Sequence, residues 1–265
     1  PKPMEFILHV LAGAGVGFTI GLTGVGGGSL MTPILLLFQY PAPVAIGTDL
    51  LYAAITKASG AVSHHRAANV DWKIVGLLAL GSIPISLLLH ICFLDARFEG
   101  SNEGERLLTY SLGIMLIVTA IILILRNKLR KGAIEDRPAL IMKAIHHYRG
   151  PMTWLMGVVL GFCVTLSSVG AGAFGAAILL VIYSQTPAVR IIGTDIAHAV
   201  PLTFVAGMGY FFSGYVDLAL LASLLLGSLP TIHLGSKLAA RVQDKILQRL
   251  LILLLLGLGG YYSLS

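Results

Sequence analysis

The sequence predicts an all-α integral membrane protein made of two inverted-topology repeats of about five segments each, with a short half-helix after a Gly/Ser-rich break in each repeat. Three observations carry that expectation. The 265 residues are 56% apolar and only 11% charged, whereas a soluble domain carries about 25% charged residues to wet its surface. Apolar runs long enough to span roughly 30 Å of hydrocarbon recur along the chain. Polar and proline-bearing motifs of the first half return, in one register, in the second.

The first run, 4–22, lacks a basic leader and an A-x-A end, so no cleavable signal is read in it. It is followed by Thr23-Gly24-Val25-Gly26-Gly27-Gly28-Ser29 and then by a short run, Leu30–Tyr40. A helix of that length reaches about 16 Å at 1.5 Å per residue, half a membrane. Long runs follow at 44–64, 74–94 and 107–125. In the second half a run at 151–166 precedes Ser167-Ser168-Val169-Gly170-Ala171-Gly172 and another short run, Ala173–Tyr183. Long runs at 188–212, 218–236 and 246–263 complete the chain. Residues 1–125 therefore read as a first transmembrane repeat, 126–150 as a basic cytoplasmic linker and 151–265 as a second repeat.

A shift of 144 pairs Gly13, Gly17, Phe18, Leu22, Val25, Gly26 and Gly28 with Gly157, Gly161, Phe162, Leu166, Val169, Gly170 and Gly172. After a slip of two residues, a shift of 146 pairs Gly47-Thr48-Asp49 with Gly193-Thr194-Asp195. It also pairs Val70-Asp71 with Val216-Asp217, and Gly81-Ser82-x-Pro84 with Gly227-Ser228-x-Pro230. Chance matches among glycine and leucine are common in apolar chains; three matches with polar or proline residues in one register are not.

Charge bias sets the orientation of the halves. If each break and short run together make an even number of crossings, the loops at 64–73, 126–150, 184–190 and 235–249 share one side. They hold Arg66, Lys73, Arg126, Lys128, Arg130, Lys131, Arg137, Lys143, Arg149, Arg190, Lys237, Arg241, Lys245 and Arg249. The other side holds Lys2, Arg97 and Arg106. Basic loops face the cytoplasm. The second half is then upside down relative to the first, with both termini on the periplasmic side of an inner (cytoplasmic) membrane that the chain crosses many times. Inverted repeats with short, glycine-interrupted segments at matching places point to the binding site of a secondary transporter.

A broken backbone at membrane depth must line a cavity, because lipid satisfies no N–H or C=O group. Glycines let successive amides converge, and a helix start adds a positive dipole end. Thr23, Gly24, Val25, Gly26, Gly27, Gly28 and Ser29, with Ser167, Ser168, Gly170 and Gly172, are the expected cradle for a small anion. Gly13-xxx-Gly17-xxx-Gly21 and Gly157-xxx-Gly161 read instead as close helix packing. Asp49 and Asp195 follow Gly-Thr and are expected to open the third long helix of each half as caps, a role compatible with carrying a coupled proton. Asp71 and Asp217 read as plain caps.

Lys57 is the basic residue well inside a predicted span, on the broad face of Asp49; it is expected to meet Asp49, the cavity or a carbonyl, and it joins the substrate-binding set. Its repeat partner is Thr203. His198, three residues after Asp195, is a third proton-coupling candidate, with a bundle hydrogen bond as the plainer reading. His64-His65-Arg66 and His146-His147 read as solvated helix ends.

Other chemistries find no support. The net charge of +6 is scattered over loops and forms no nucleic-acid stripe. No phosphate-binding G-x-x-x-x-G-K-[ST], dinucleotide, G-x-S-x-G or H-E-x-x-H motif occurs, so no enzyme, cofactor or metal is expected. Cys92 and Cys163 lie inside apolar runs, which argues against a disulfide or zinc site.

The Gly-rich run before a proline-bearing short helix, the Gly-Thr-Asp start and their echo, over Gly17–Pro84 and Gly161–Pro230, resemble the sulfite exporter TauE/SafE family. The second copy departs from the fuller pattern, with Ser167-Ser168 and Ala171 in place of Thr-Gly and Gly. The resemblance implies a duplicated inner-membrane transporter of small sulfur-containing or carboxylate anions, with sulfite and organosulfonates such as sulfoacetate as substrates. Its partners would be that anion and the bilayer, and a homodimer is compatible with the sequence. An anion channel on the same architecture is the alternative.

Overall fold

The computed structural model describes residues 3–23, 30–91, 102–135, 148–170, 172–239, 252–253 and 255–262. Its helices are α1 (Pro3–Thr23), α2 (Met31–Leu37), α3 (Ala42–Arg66), α4 (Trp72–Leu89), α5 (Asn102–Glu135), α6 (Arg149–Ser167), α7 (Ala173–Ile182), α8 (Ala188–Phe212) and α9 (Leu218–Ala239), with a further helical stretch over 255–262. The described residues contain no strand, and every long run expected from the sequence coincides with a helix where it is described.

Proline and aspartate set many of the boundaries. Pro41 and Pro187 take the N-cap positions of α3 and α8, where a missing N–H costs nothing. The Asp71 carboxylate accepts the Lys73 and Ile74 amides at 3.1 and 3.4 Å, and Asp217 accepts that of Leu220 at 2.9 Å, so both act as the plain caps expected. Asp49 and Asp195 do not open their helices. Both α3 and α8 begin seven residues earlier, because Pro41 and Pro187 start each helix and the apolar residues before Gly-Thr-Asp already belong to it. Helix α5 continues to Glu135, into the segment expected as a linker.

Among the described residues five helices are long and apolar enough to cross a membrane: α1, α4, α6, α8 and α9, with a shorter apolar stretch at Arg106–Ile122 in α5. Many large apolar side chains point outward, Phe212, Ile91 and Met4 among them, far beyond what a soluble monomer shows. The more polar α3 is 25 residues long, and its first half is buried almost without interruption against protein.

Helix packing follows the duplication. The largest contacts join α1 to α9, α3 to α8 and α4 to α6. A Cβ on Gly13 would collide with the backbone of Leu224, and one on Gly157 with that of Leu78, each pair the repeat image of the other. Hydrogen bonds repeat the pattern: the Thr194 hydroxyl accepts the Asp71 amide at 2.9 Å, and the Thr48 hydroxyl accepts the Asp217 amide at 3.3 Å. Two large apolar cores result among the described residues, one around Leu78, Leu160 and Leu202, the other around Val16, Leu116 and Leu224. Each is completed by helices from both halves of the chain.

The glycine contacts give a direct test. Gly13→Ala should destabilise the protein by about 1–3 kcal/mol, the range for overpacking a filled interface. Gly15→Ala, two residues on and on another face of α1, with no atom within 4 Å of the added carbon, should not destabilise it. Thermal unfolding in detergent compares the two directly.

Candidate functional site

The two long inner helices, α3 and α8, pack along each other at the centre and bring ionisable groups together there. Asp49 and Asp195 are 0% and 1% exposed, Lys57 is 6% and His198 is 0%. Burial of this many ionisable groups is expensive unless they meet partners or perform a function.

Asp49 faces the short helix of its own half. Its Oδ2 accepts the Thr32 amide at 3.2 Å and the Thr32 hydroxyl at 2.5 Å. Thr32 lies in the first turn of α2, where a backbone N–H has no partner within the helix. The carboxylate thus caps α2 from outside, across 17 residues of sequence. The Ser168 hydroxyl, from the break in the other half, comes close to the same carboxylate without closing a hydrogen bond.

Asp195 stands in the matching position. The Gly172 amide, at the start of α7, is directed at its carboxylate without closing a hydrogen bond. A Cβ on Gly175, one turn into α7, would come within 3.0 Å of the Asp195 Cγ. Only a residue without a side chain lets the two approach in this way.

The break before α7 is held by its own side chain. Ser168 is left-handed (φ +57°), and Gly170 and Gly172 have φ of +121° and +123°, a region that L side chains avoid. The Ser167 hydroxyl donates to the Cys163 carbonyl at 2.7 Å and accepts the Val169 amide at 3.2 Å, so it shapes the turn. Of the first break, Gly24, Val25, Gly26, Gly27, Gly28 and Ser29 lie outside the described residues, and so does the side chain of Thr23, which ends α1.

Lys57 lies within Coulombic range of Asp195 and Asp49. His198 pairs with Ser82 of α4, Oγ to Nε2 at 2.8 Å, and not with Asp195 three residues away. Its repeat counterpart, Tyr52, approaches Ser228 of α9, the counterpart of Ser82. Thr203, opposite number of Lys57, turns its hydroxyl back to the Ala199 carbonyl at 2.8 Å. The halves therefore match in scaffold and differ in charge.

Thr32, Gly175, Ser82 and Tyr52 were not among the residues expected at a site. Thr32 carried a usable signal, as the one hydroxyl in the apolar helix Met31–Leu37. Ser82 belonged to a repeated motif, but only the fold places it against His198.

A separate cleft of about 420 Å³ opens at the far end of α2, lined by Leu36, Tyr40, Arg106, Tyr110, Tyr261 and Tyr262 among others. Tyr262 ties it to the short helix by donating to the Pro33 carbonyl at 3.2 Å. Among the described residues no cluster of His, Cys, Asp and Glu is arranged to hold a metal ion.

Comparison with known proteins agrees with this architecture. The family model for the sulfite exporter TauE/SafE matches residues 9–262. The chain is 38% identical over 255 residues to the probable membrane transporter protein YjnA of Bacillus subtilis, covering 94% of this chain and 96% of that protein. It is 29% identical over 227 residues to a second B. subtilis probable membrane transporter protein, YdhB, covering 84% and 85% of the two chains. A probable membrane transporter protein of Methanocaldococcus jannaschii is 28% identical over 280 residues, with 98% and 97% covered. No solved structure matches.

Proposed function

The chain belongs to the sulfite exporter TauE/SafE family and is a multi-pass membrane transporter, and we propose that it is a secondary carrier exporting small sulfur-containing or organic anions. The observation that carries this reading is the meeting of two short helices with two buried carboxylates on paired inner helices. The breaks before those helices, Thr23–Ser29 and Ser167–Gly172, supply amides and hydroxyls to the anion, and Lys57 supplies a positive charge. The two halves are inverted in an inner membrane, and rocking of one against the other exposes the site to each side in turn. ATP is not required. A cytosol-negative potential favours anion exit by about 2.3 kcal/mol per charge per 100 mV. Asp49, Asp195 and His198 are the groups through which a proton couples to the cycle.

Counterflow in proteoliposomes tests this. Vesicles preloaded with unlabelled sulfite should accumulate labelled sulfite transiently, and sulfoacetate should compete. Sulfite flux without counterflow would identify a channel. Absence of flux for sulfite, thiosulfate and organosulfonates alike would refute the substrate class.

A further inference from the structure

Two carboxylates occupy equivalent places in the two halves, yet among the described residues the core supplies one cation for both. Asp49 and Asp195 are related by the 146-residue shift, and each faces the first turn of a short helix, at Thr32 in one half and at Gly172 and Gly175 in the other. Lys57 lies within Coulombic range of both. Its counterpart, Thr203, brings no charge.

Among the described residues the surrounding elements add none. The short helices α2 and α7 contain no ionisable residue. The charged residues of α4, α5, α6 and α9 sit towards their ends, and Glu5 and His9 lie in the first two turns of α1. Among the described residues the other titratable groups within Coulombic range of the three are His198, bonded to Ser82, and Tyr52, which approaches Ser228. One ammonium offsets one carboxylate, and a second carboxylate buried beside it is relieved by taking a proton.

We propose that Lys57 is a single counter-ion shared in turn by Asp49 and Asp195, so that one carboxyl of the pair is ionised while the other carries a proton. When Lys57 passes from one to the other, the carboxylate it leaves takes up a proton and the one it joins gives one up. The ionised partner closes the amides of its own short helix, as Asp49 does at Thr32. The protonated partner leaves its amides to the transported anion. Closure of both short helices at once is then excluded, which is what alternating access demands. The inference rests on the transport reading for its setting, but its test needs no substrate.

The test is the infrared carbonyl stretch of undissociated carboxyls in purified, lipid-reconstituted protein at neutral pH, where exposed carboxyls are ionised. Wild-type protein should show the band of one buried acid. Asp49→Asn and Asp195→Asn should each abolish it, because the remaining carboxylate keeps Lys57 to itself. Lys57→Met should raise it about twofold, since both carboxyls are then neutral. If Lys57→Met does not fold, the double variant Lys57→Met/Asp195→Asn, with one neutral carboxyl, should keep the wild-type intensity. A wild-type protein without the band, or a band indifferent to Lys57, overturns the proposal. The expected pattern in a protein that moves no sulfite would leave the shared counter-ion standing and refute only the substrate reading.

Discussion

Gly175→Val is expected to slow anion counterflow at least about tenfold, the factor carried by 1.4 kcal/mol of misfit, while leaving the protein inserted and folded. The position is one turn into α7, and the first added carbon would already press on the Asp195 carboxyl, 3.0 Å from Cγ. Asp195 is 1% exposed, and a close-packed interior gives a buried side chain little room to move. Strain at this point is relieved by moving the start of α7 away from α8, and the anion's amides move with it. Gly76→Val is the matched control, on α4 with no atom within 4 Å of the added carbon. Transport at the wild-type rate in Gly175→Val would remove the α7–Asp195 contact from the site.

Asp49→Ala should cost about 1–3 kcal/mol of stability, the cost of leaving a buried donor without its acceptor. It strands the Thr32 amide and hydroxyl, which the carboxylate accepts at 3.2 and 2.5 Å, and it takes one carboxylate from the surroundings of Lys57. Asp49→Asn keeps an oxygen for Thr32 and should recover most of that loss, yet it cannot ionise and should not support transport. Unfolding in detergent and counterflow in vesicles separate the two effects. Equal stability of the alanine and asparagine variants would show that the external cap on α2 contributes nothing.

Much of the fold was legible because membrane helices announce themselves by apolar length. The run at 188–212 matches α8 residue for residue, and Ala173–Tyr183 matches α7 to within one. The duplication was legible because motifs such as Gly-Ser-x-Pro are improbable by chance, and the paired contacts of Asp71 with Thr194 and Asp217 with Thr48 follow its register. The start of α3 was misread because Gly-Thr-Asp has the composition of a helix cap, while the stronger signal, Pro41 and Pro43, lay upstream. The site was harder. Asp49, Lys57, Asp195 and His198 stood out as ionisable groups in apolar runs, but what each one touches is a tertiary fact. Neither the contact of Asp49 with Thr32 nor that of His198 with Ser82, 116 residues away, has a local signature.

Opposed halves are the premise on which the shared site depends, and side-specific labelling of two matched turns measures it. Ala67 and Ser213 occupy equivalent positions after α3 and α8, one repeat apart. In a background lacking Cys92 and Cys163, Ala67→Cys and Ser213→Cys are treated with a membrane-impermeant maleimide in intact cells and in inverted vesicles. Ser213→Cys should react in cells and Ala67→Cys only in inverted vesicles. Labelling of both from the same side would contradict the inverted arrangement and, with it, a site formed between two oppositely entering short helices.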